Sequence, residues 1–229
     1  MKRKRFLQIA GMAVPAGAVM LSGCSELEDL ADKIDGHTKP GEDDDTVDLG
    51  SGDVGILNYA FALEQLETAF YIKVTEHDAF NSIFSDKERT RISEIRDNEL
   101  VHREFFRTVL ADNAIRDLDP NFMTVDFSSR TSILMHATMF EDTGVAAYNG
   151  SAKLITDVNN LLVAGKIVSV EARHVAILRN MLMPRSSAFA GDDVINPMGL
   201  DRALSPSTVL PMVQPFIKQH LKGKDLPNA

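Results

Sequence analysis

Residues 164–181, AGKIVSVEARHVAILRNM, decide the reading of this chain. Ala164, Ile167, Glu171, His174, Leu178 and Met181 recur at steps of three and four, the spacing of one helical face. That face is apolar at both ends. In its middle a carboxylate and an imidazole stand one turn apart, where a core-facing helix presents leucine. A buried glutamate is unfavourable unless it is paired or bound to a metal.

Three further stretches repeat the pattern. Leu57, Ala60, Glu64, Glu67, Tyr71 and Val74 form one stripe, and Ile92, Ile95, Glu99, His102, Phe106 and Val109 a second. Leu134, Ala137, Glu141, Gly144 and Tyr148 form the third. Four amphipathic helices thus aim Glu64, Glu99 with His102, Glu141, and Glu171 with His174 at one interior. One glutamate from each of two helices, plus Glu-x-x-His from each of the other two, is the ligand set of di-iron and di-manganese carboxylate bundles. Carboxylates bind hard cations and imidazole adds a nitrogen ligand, which suits two Fe or Mn ions; four carboxylates bring such a pair close to neutrality. The competing reading is a metal-free bundle whose buried Glu and His side chains hydrogen-bond one another.

Other residues on these faces carry weaker signals. Glu67 lies one turn from Glu64 and is read as an outer partner of the ligands rather than a further bridging carboxylate. Tyr71 and Tyr148 each lie two turns beyond a ligand glutamate. They are candidates for catalysis as redox neighbours or for hydrogen bonding to a ligand, against the alternative of aromatic core fillers. His136 points off the ligand stripe and His77 sits near a helix end; both are taken as non-ligands.

The fold expected is all-α: an antiparallel four-helix bundle over residues 53–183, with one long crossover at 112–128. Asp53 can cap a helix over 54–76, and Ser85-Asp86-Lys87-Glu88 reads as a capping box for 87–111. Ser128 or Ser129 can cap 130–152, and Thr156 or Asp157 can cap 158–183, which Pro184 ends. A weak repeat, Glu-x6-Tyr followed by Glu-x2-His, appears in each half, as two hairpins related by a pseudo-two-fold axis would produce. Residues 184–229 form an extension packing on the bundle, with a short helix starting at Ser205-Pro206.

Apolar residues make up 44% of the chain, enough to close one sizeable core. A formal charge of −9, with no basic stripe and no Trp, argues against nucleic acid as a partner. Residues 1–23 read as a signal peptide, with basic Lys2–Arg5 followed by a short apolar run. Removing those four basic residues takes the formal charge from −9 to −13. Leu21-Ser22-Gly23-Cys24 resembles the lipobox of bacterial lipoproteins, which implies lipidation of Cys24 and attachment to a membrane. An ordinary signal peptide is the alternative. Ser25, by the same resemblance, favours the periplasmic side of the outer membrane over the inner one. Arg3-Lys4-Arg5-Phe6-Leu7 resembles a twin-arginine export signal with Lys at one arginine position, and general secretion stays open. Residues 24–52 then serve as a flexible acidic linker, too polar to fold alone.

Leu57-Asn58-Tyr59-Ala60, the run Leu63 to Tyr71, Val170 to His174 and Gly199 to Pro206 together resemble the ferritin-like superfamily, in particular the ferritin-like domain family that includes desiccation-related proteins. The resemblance spans roughly Asp53 to Leu221. It implies a bound dinuclear centre, with O2 or H2O2 as co-substrate. The superfamily spans iron storage, peroxide reduction, catalase activity and oxygenation, so the reaction stays open. Rubrerythrins add a cysteine-ligated iron domain, for which the single cysteine of this chain, Cys24, does not suffice, and a storage cage fits poorly with a lipid anchor on every subunit. Two functions are therefore carried forward: a ferroxidase, peroxide scavenger or manganese-catalase-like enzyme, and a membrane-tethered stress or desiccation-related protein with a structural metal site. A homodimer is compatible with either.

Overall fold

The structure, a computed structural model, describes residues 45–227. The expected signal peptide, Cys24 and most of the linker lie outside the described residues. Four long helices carry the fold: α1 (Gly52–Glu76), α2 (Asp86–Leu110), α3 (Arg130–Ser151) and α4 (Val158–Leu182). A single helical turn, Phe80–Ile83, bridges α1 and α2. The Ser85–Glu88 capping box starts α2, with Ser85 N–H donating to Glu88 Oε2 at 2.9 Å. Ser129 caps α3 by accepting from Ser132 N–H, and Asp157 caps α4 by accepting from Asn159 N–H.

Asp53 departs from its expected role. Ser51 is the N-cap of α1, and Asp53 sits inside the first turn. Its carboxylate reaches across the bundle and accepts from the backbone N–H groups of Thr156 and Asp157, each at 2.8 Å. These donors hold its pKa down at about 2. The residue pins the start of α1 to the start of α4.

One end of the bundle gathers Ile56 and Ala60 of α1, Phe106 and Val109 of α2, Tyr148 and Ser151 of α3, and Asn160 and Ala164 of α4. The start of α1 therefore lies beside the end of α2, and the end of α3 beside the start of α4. It follows that α2 and α3 run parallel, and residues 111–129 must travel the bundle's length. This crossover covers α1, which explains why that helix is buried on nearly every face, polar Asn58 and Gln65 included. Asn58 Nδ2 donates to Asn113 O and its Oδ1 accepts from Ile115 N–H, both at 2.9 Å. Gln65 Oε1 accepts from Leu118 N–H at 2.8 Å. The two amides satisfy crossover backbone that would otherwise be buried unpaired. Phe122 and Phe127 then pack on Phe70, with ring centroids 5.7 and 5.9 Å away.

The residues before 52 enter the fold earlier than the linker reading placed them. β1 (Thr46–Asp48) pairs in parallel with β2 (His220–Lys222), Val47 opposite Leu221. Val47 and Leu49 are buried, so apolar residues two apart supply a strand face too short to register as a pattern. In the C-terminal extension, α5 (Pro206–Val213) starts at Ser205-Pro206 as expected. Arg179, buried in α4, holds the extension by donating to Asp142 of α3 at 2.6 Å and to Asp193 at 2.8 Å. Leu204 N–H also donates to Ala146 O at 2.9 Å, bringing main chain against main chain at Gly150. A Cβ on Gly150 would lie 1.8 Å from Leu204 O. Gly150→Ala is expected to displace the extension and cost about 1–3 kcal/mol. Chemical denaturation would measure that loss, and a midpoint unchanged from the parent would contradict it.

Candidate metal centre

The mid-stripe residues of the four helices meet inside the bundle. Glu64, Glu99, Glu141 and Glu171 have no exposed surface, and His174 is buried as well. His102 keeps 12% side-chain exposure, so this corner of the cluster is nearer to solvent. Glu64, Glu99, His102 and Glu171 each offer one donor atom, all within 4.8 Å of one another, and Glu99, Glu141, Glu171 and His174 do the same. Glu99 and Glu171 belong to both groups.

The distances repeat under a two-fold exchange of the hairpins. His102 Nδ1 lies 2.8 Å from Glu171 Oε1, 3.4 Å from Glu64 Oε2 and 3.6 Å from Glu99 Oε2. His174 Nδ1 lies 2.8 Å from Glu99 Oε1, 3.2 Å from Glu141 Oε2 and 3.7 Å from Glu171 Oε2. None of these approaches has hydrogen-bond direction. Both imidazole Nδ1 atoms and six carboxylate oxygens of the four glutamates are buried without a hydrogen-bond partner. Buried polar atoms are normally paired, so eight orphans converging on two points describe donors arranged for cations. The residues fit a metal centre by this test.

The tyrosines close the arrangement in a way that sequence spacing concealed. Tyr71 of α1 donates its hydroxyl to Glu141 Oε1 of α3 at 2.7 Å. Tyr148 of α3 donates to Glu64 Oε1 of α1. Each tyrosine thus serves the glutamate of the other hairpin, leaving Oε2 of that glutamate aimed at the cluster. Burial raises both phenol pKa values, which keeps the hydroxyls protonated as donors.

Glu67 belongs to neither donor group, although it too is buried. Its Oε1 lies 2.9 Å from where a Cβ on Gly144 would stand. The glycine in the α3 stripe therefore leaves the space that this carboxylate fills. Asn98 is a contributor that the stripe reading missed. Its carboxamide lies 2.9 Å from His174 Nε2, and with the amide oxygen turned there, Nε2–H donates and leaves the Nδ1 lone pair facing the cluster. Position 170, which precedes Glu171 as Asn98 precedes Glu99, is a valine and offers His102 no such partner. His136 and His77 join neither group: His136 Nδ1 faces Ser132 O at 2.8 Å, and His77 Nδ1 accepts from Ala79 N–H.

Protons occupy the cluster where cations are not bound. Burial pushes Glu64 up to about 8, and the His102 imidazole partly offsets that push. Burial, reinforced by neighbouring carboxylates, also drives Glu67 well above the usual range, and burial raises Glu141. For Glu171, burial pushes upward, but His102 and His174 outweigh it and hold this carboxyl below its ordinary value. Burial alone would lower both imidazoles, yet the surrounding carboxylates raise them. Metal binding must therefore displace protons.

The family model of the ferritin-like domain matches residues 52–184, more than half of the chain, which therefore belongs to that family. A comparison with curated proteins finds no match. The four-helix bundle and its buried Glu/His cluster make this a ferritin-like protein with a potential metal-binding site.

Proposed function

We propose that the cluster holds two Fe or Mn ions and that the chain performs redox chemistry with them outside the cytoplasm, oxidising Fe(II) or removing peroxide. The observation that carries this reading is the set of eight buried, unpartnered donor atoms, divided between two groups that share Glu99 and Glu171. Two divalent ions balance four carboxylates, and each ion meets one imidazole. A bound pair supplies two one-electron centres, matching two-electron chemistry of O2 or peroxide. In ferroxidation, two Fe(II) and one O2 with two protons give two Fe(III) and one H2O2. In peroxide disproportionation, two H2O2 give O2 and two waters. Glu64 with His102 and Glu141 with His174 would hold the two ions, Glu99 and Glu171 would serve both groups, and Tyr71 and Tyr148 fix the terminal carboxylates.

Protein loaded separately with Fe(II) and with Mn(II) tests this reading. About two ions per chain are expected, with Fe(II) oxidation or peroxide loss at least ~10-fold faster than buffer. Fully loaded protein that does neither would establish the metal as structural.

The same reading places the domain on a membrane through lipid on Cys24. Among the described residues no helix is long and apolar enough to cross a membrane. Lipid chains anchor a folded domain without such a helix. Cys24→Ala is expected to move the protein from the membrane to the soluble fraction or to stall its processing. Unchanged fractionation would rule out the anchor.

A further inference from the structure

Val158, Leu162, Lys166, Ser169 and Arg173 follow one another at steps of three and four along α4, and each is exposed. They form the outward face of the helix, turned away from the buried stripe that carries Glu171 and His174. Val158 is 63% and Leu162 59% exposed, and Leu161 beside them is 38% exposed. Among the described residues Lys166 and Arg173 have no ion-pair partner. Glu171 is the only carboxylate in α4, and it is buried in the cluster. Asp53 and Asp157, near the helix start, are occupied by the main-chain N–H groups of Thr156, Asp157 and Asn159. The face is thus apolar where α4 begins and cationic further along, on a chain whose formal charge is −9.

Charge decides what covers such a face. A two-fold pair of copies built on it would bury the cations of both α4 helices with no carboxylate of α4 to meet them. Nucleic acid would pair with the cations and leave the leucines without a partner. An anionic lipid surface answers both halves: its head groups take the cations, and the apolar side chains enter the boundary between head groups and acyl chains. Lys and Arg suit that place, because their stems lie along apolar surface while the charged ends reach out. Negative charge elsewhere on the chain is repelled by the same surface, so approach is favoured with this face foremost.

We propose that the outward face of α4 docks on an anionic lipid surface, so that the domain lies against the membrane instead of hanging free on its tether. The inference rests on the membrane reading above for the surface at hand. Residues 24–45 can span up to ~70 Å of chain, against a helix length of ~38 Å for α4, so a tether at Cys24 permits this orientation. Docking through two cations and a few apolar side chains is reversed by salt, whereas a lipid anchor is not. A high-salt wash therefore separates the two contributions, and the release expected of Cys24→Ala is read after it.

Vesicle sedimentation tests the face, using the chain from residue 24 onward with Cys24→Ala, which carries neither signal peptide nor lipid. It should sediment with vesicles of equimolar phosphatidylcholine and phosphatidylglycerol and stay in solution with phosphatidylcholine alone. Lys166→Glu with Arg173→Glu should weaken binding ~10-fold or more, and Leu161→Ser with Leu162→Ser should weaken it similarly. Lys87→Glu with Arg91→Glu makes the same change of net charge at exposed positions of α2 and should cost less than ~3-fold. Equal losses from the two charge pairs, binding indifferent to the α4 variants, or no binding to the mixed vesicles would each overturn the inference. So would dimers in solution that Leu161→Ser with Leu162→Ser dissociates, since they would give the face to a second copy. These positions are exposed, and circular dichroism checks that each variant folds; Lys166→Gln with Arg173→Gln takes the place of the Glu pair if that pair does not. If the vesicles fail to bind while Cys24→Ala still releases the full chain from cell membranes, the face is lost and the anchor stands. If the vesicles bind but Cys24→Ala leaves the salt-washed fraction unchanged, the anchor is lost and the face stands.

Discussion

Glu171→Ala is expected to strip both ends of the cluster of metal, whereas Glu64→Ala strips only the end that contains His102. Glu171 presents Oε1 to His102 Nδ1 at 2.8 Å and Oε2 to the His174 side at 3.7 Å. Glu64 approaches His102 alone of the two imidazoles, at 3.4 Å. Substituting groups that merely orient metal ligands costs about 10–100-fold in affinity, so loss of a ligand shared by two ions should exceed ~100-fold at each. Elemental analysis should then read near zero ions per chain for Glu171→Ala and about one for Glu64→Ala. His136→Ala should match the parent, because that ring faces Ser132 O. Equal losses in Glu171→Ala and Glu64→Ala would contradict the sharing.

The second large effect is on stability, and its sign depends on pH. In metal-free protein Glu64 rises from an ordinary 4.5 to about 8, while Glu67, Glu141, His102 and His174 are also raised. A group whose folded pKa lies above its unfolded value contributes most at low pH, and that contribution fades as pH rises toward the folded value. Glu171 is shifted the other way and costs stability only as pH falls below 4.5. Between about pH 5 and pH 8 the metal-free protein should therefore weaken steadily. Metal favours the ionised carboxylates and reverses this slope. At metal concentrations ~1,000 times Kd each ion adds about 4 kcal/mol. For a domain of this size that raises Tm by roughly 8–16 °C. Scanning calorimetry with and without metal should find a gap that is small near pH 5 and widest near pH 8. A gap independent of pH, or none at all, would count against the centre.

The ligand faces were legible because helical periodicity is local: Glu171 and His174 fall on an apolar stripe whatever the rest of the chain does. The same holds for the Ser85–Glu88 box and the Ser205-Pro206 start. What escaped depends on which segment lies opposite. Tyr71 and Tyr148 had the right face, but their partners belong to the other hairpin. Asn98 stands beside the stripe and matters only because α4 brings His174 to it. Asp53 has the sequence position of a cap for its own helix, yet its carboxylate accepts from the N–H groups at the start of α4. The burial of α1 on nearly every face follows from a crossover whose path no periodicity records.

The β1–β2 pair sets an order of assembly. Val47 is matched to Leu221, and the side chains of Asp48 and Lys222 meet across 174 residues of chain. The first described segment is thus sealed by nearly the last. A polypeptide emerging from its N-terminus can form the α1–α2 hairpin early, from local contacts, but Val47 and Leu49 must wait for β2. β2 has to be synthesised before closure, so a product cut short before His220 leaves an apolar strand uncovered. Such a strand is a visible mark of incompleteness, open to quality-control proteases.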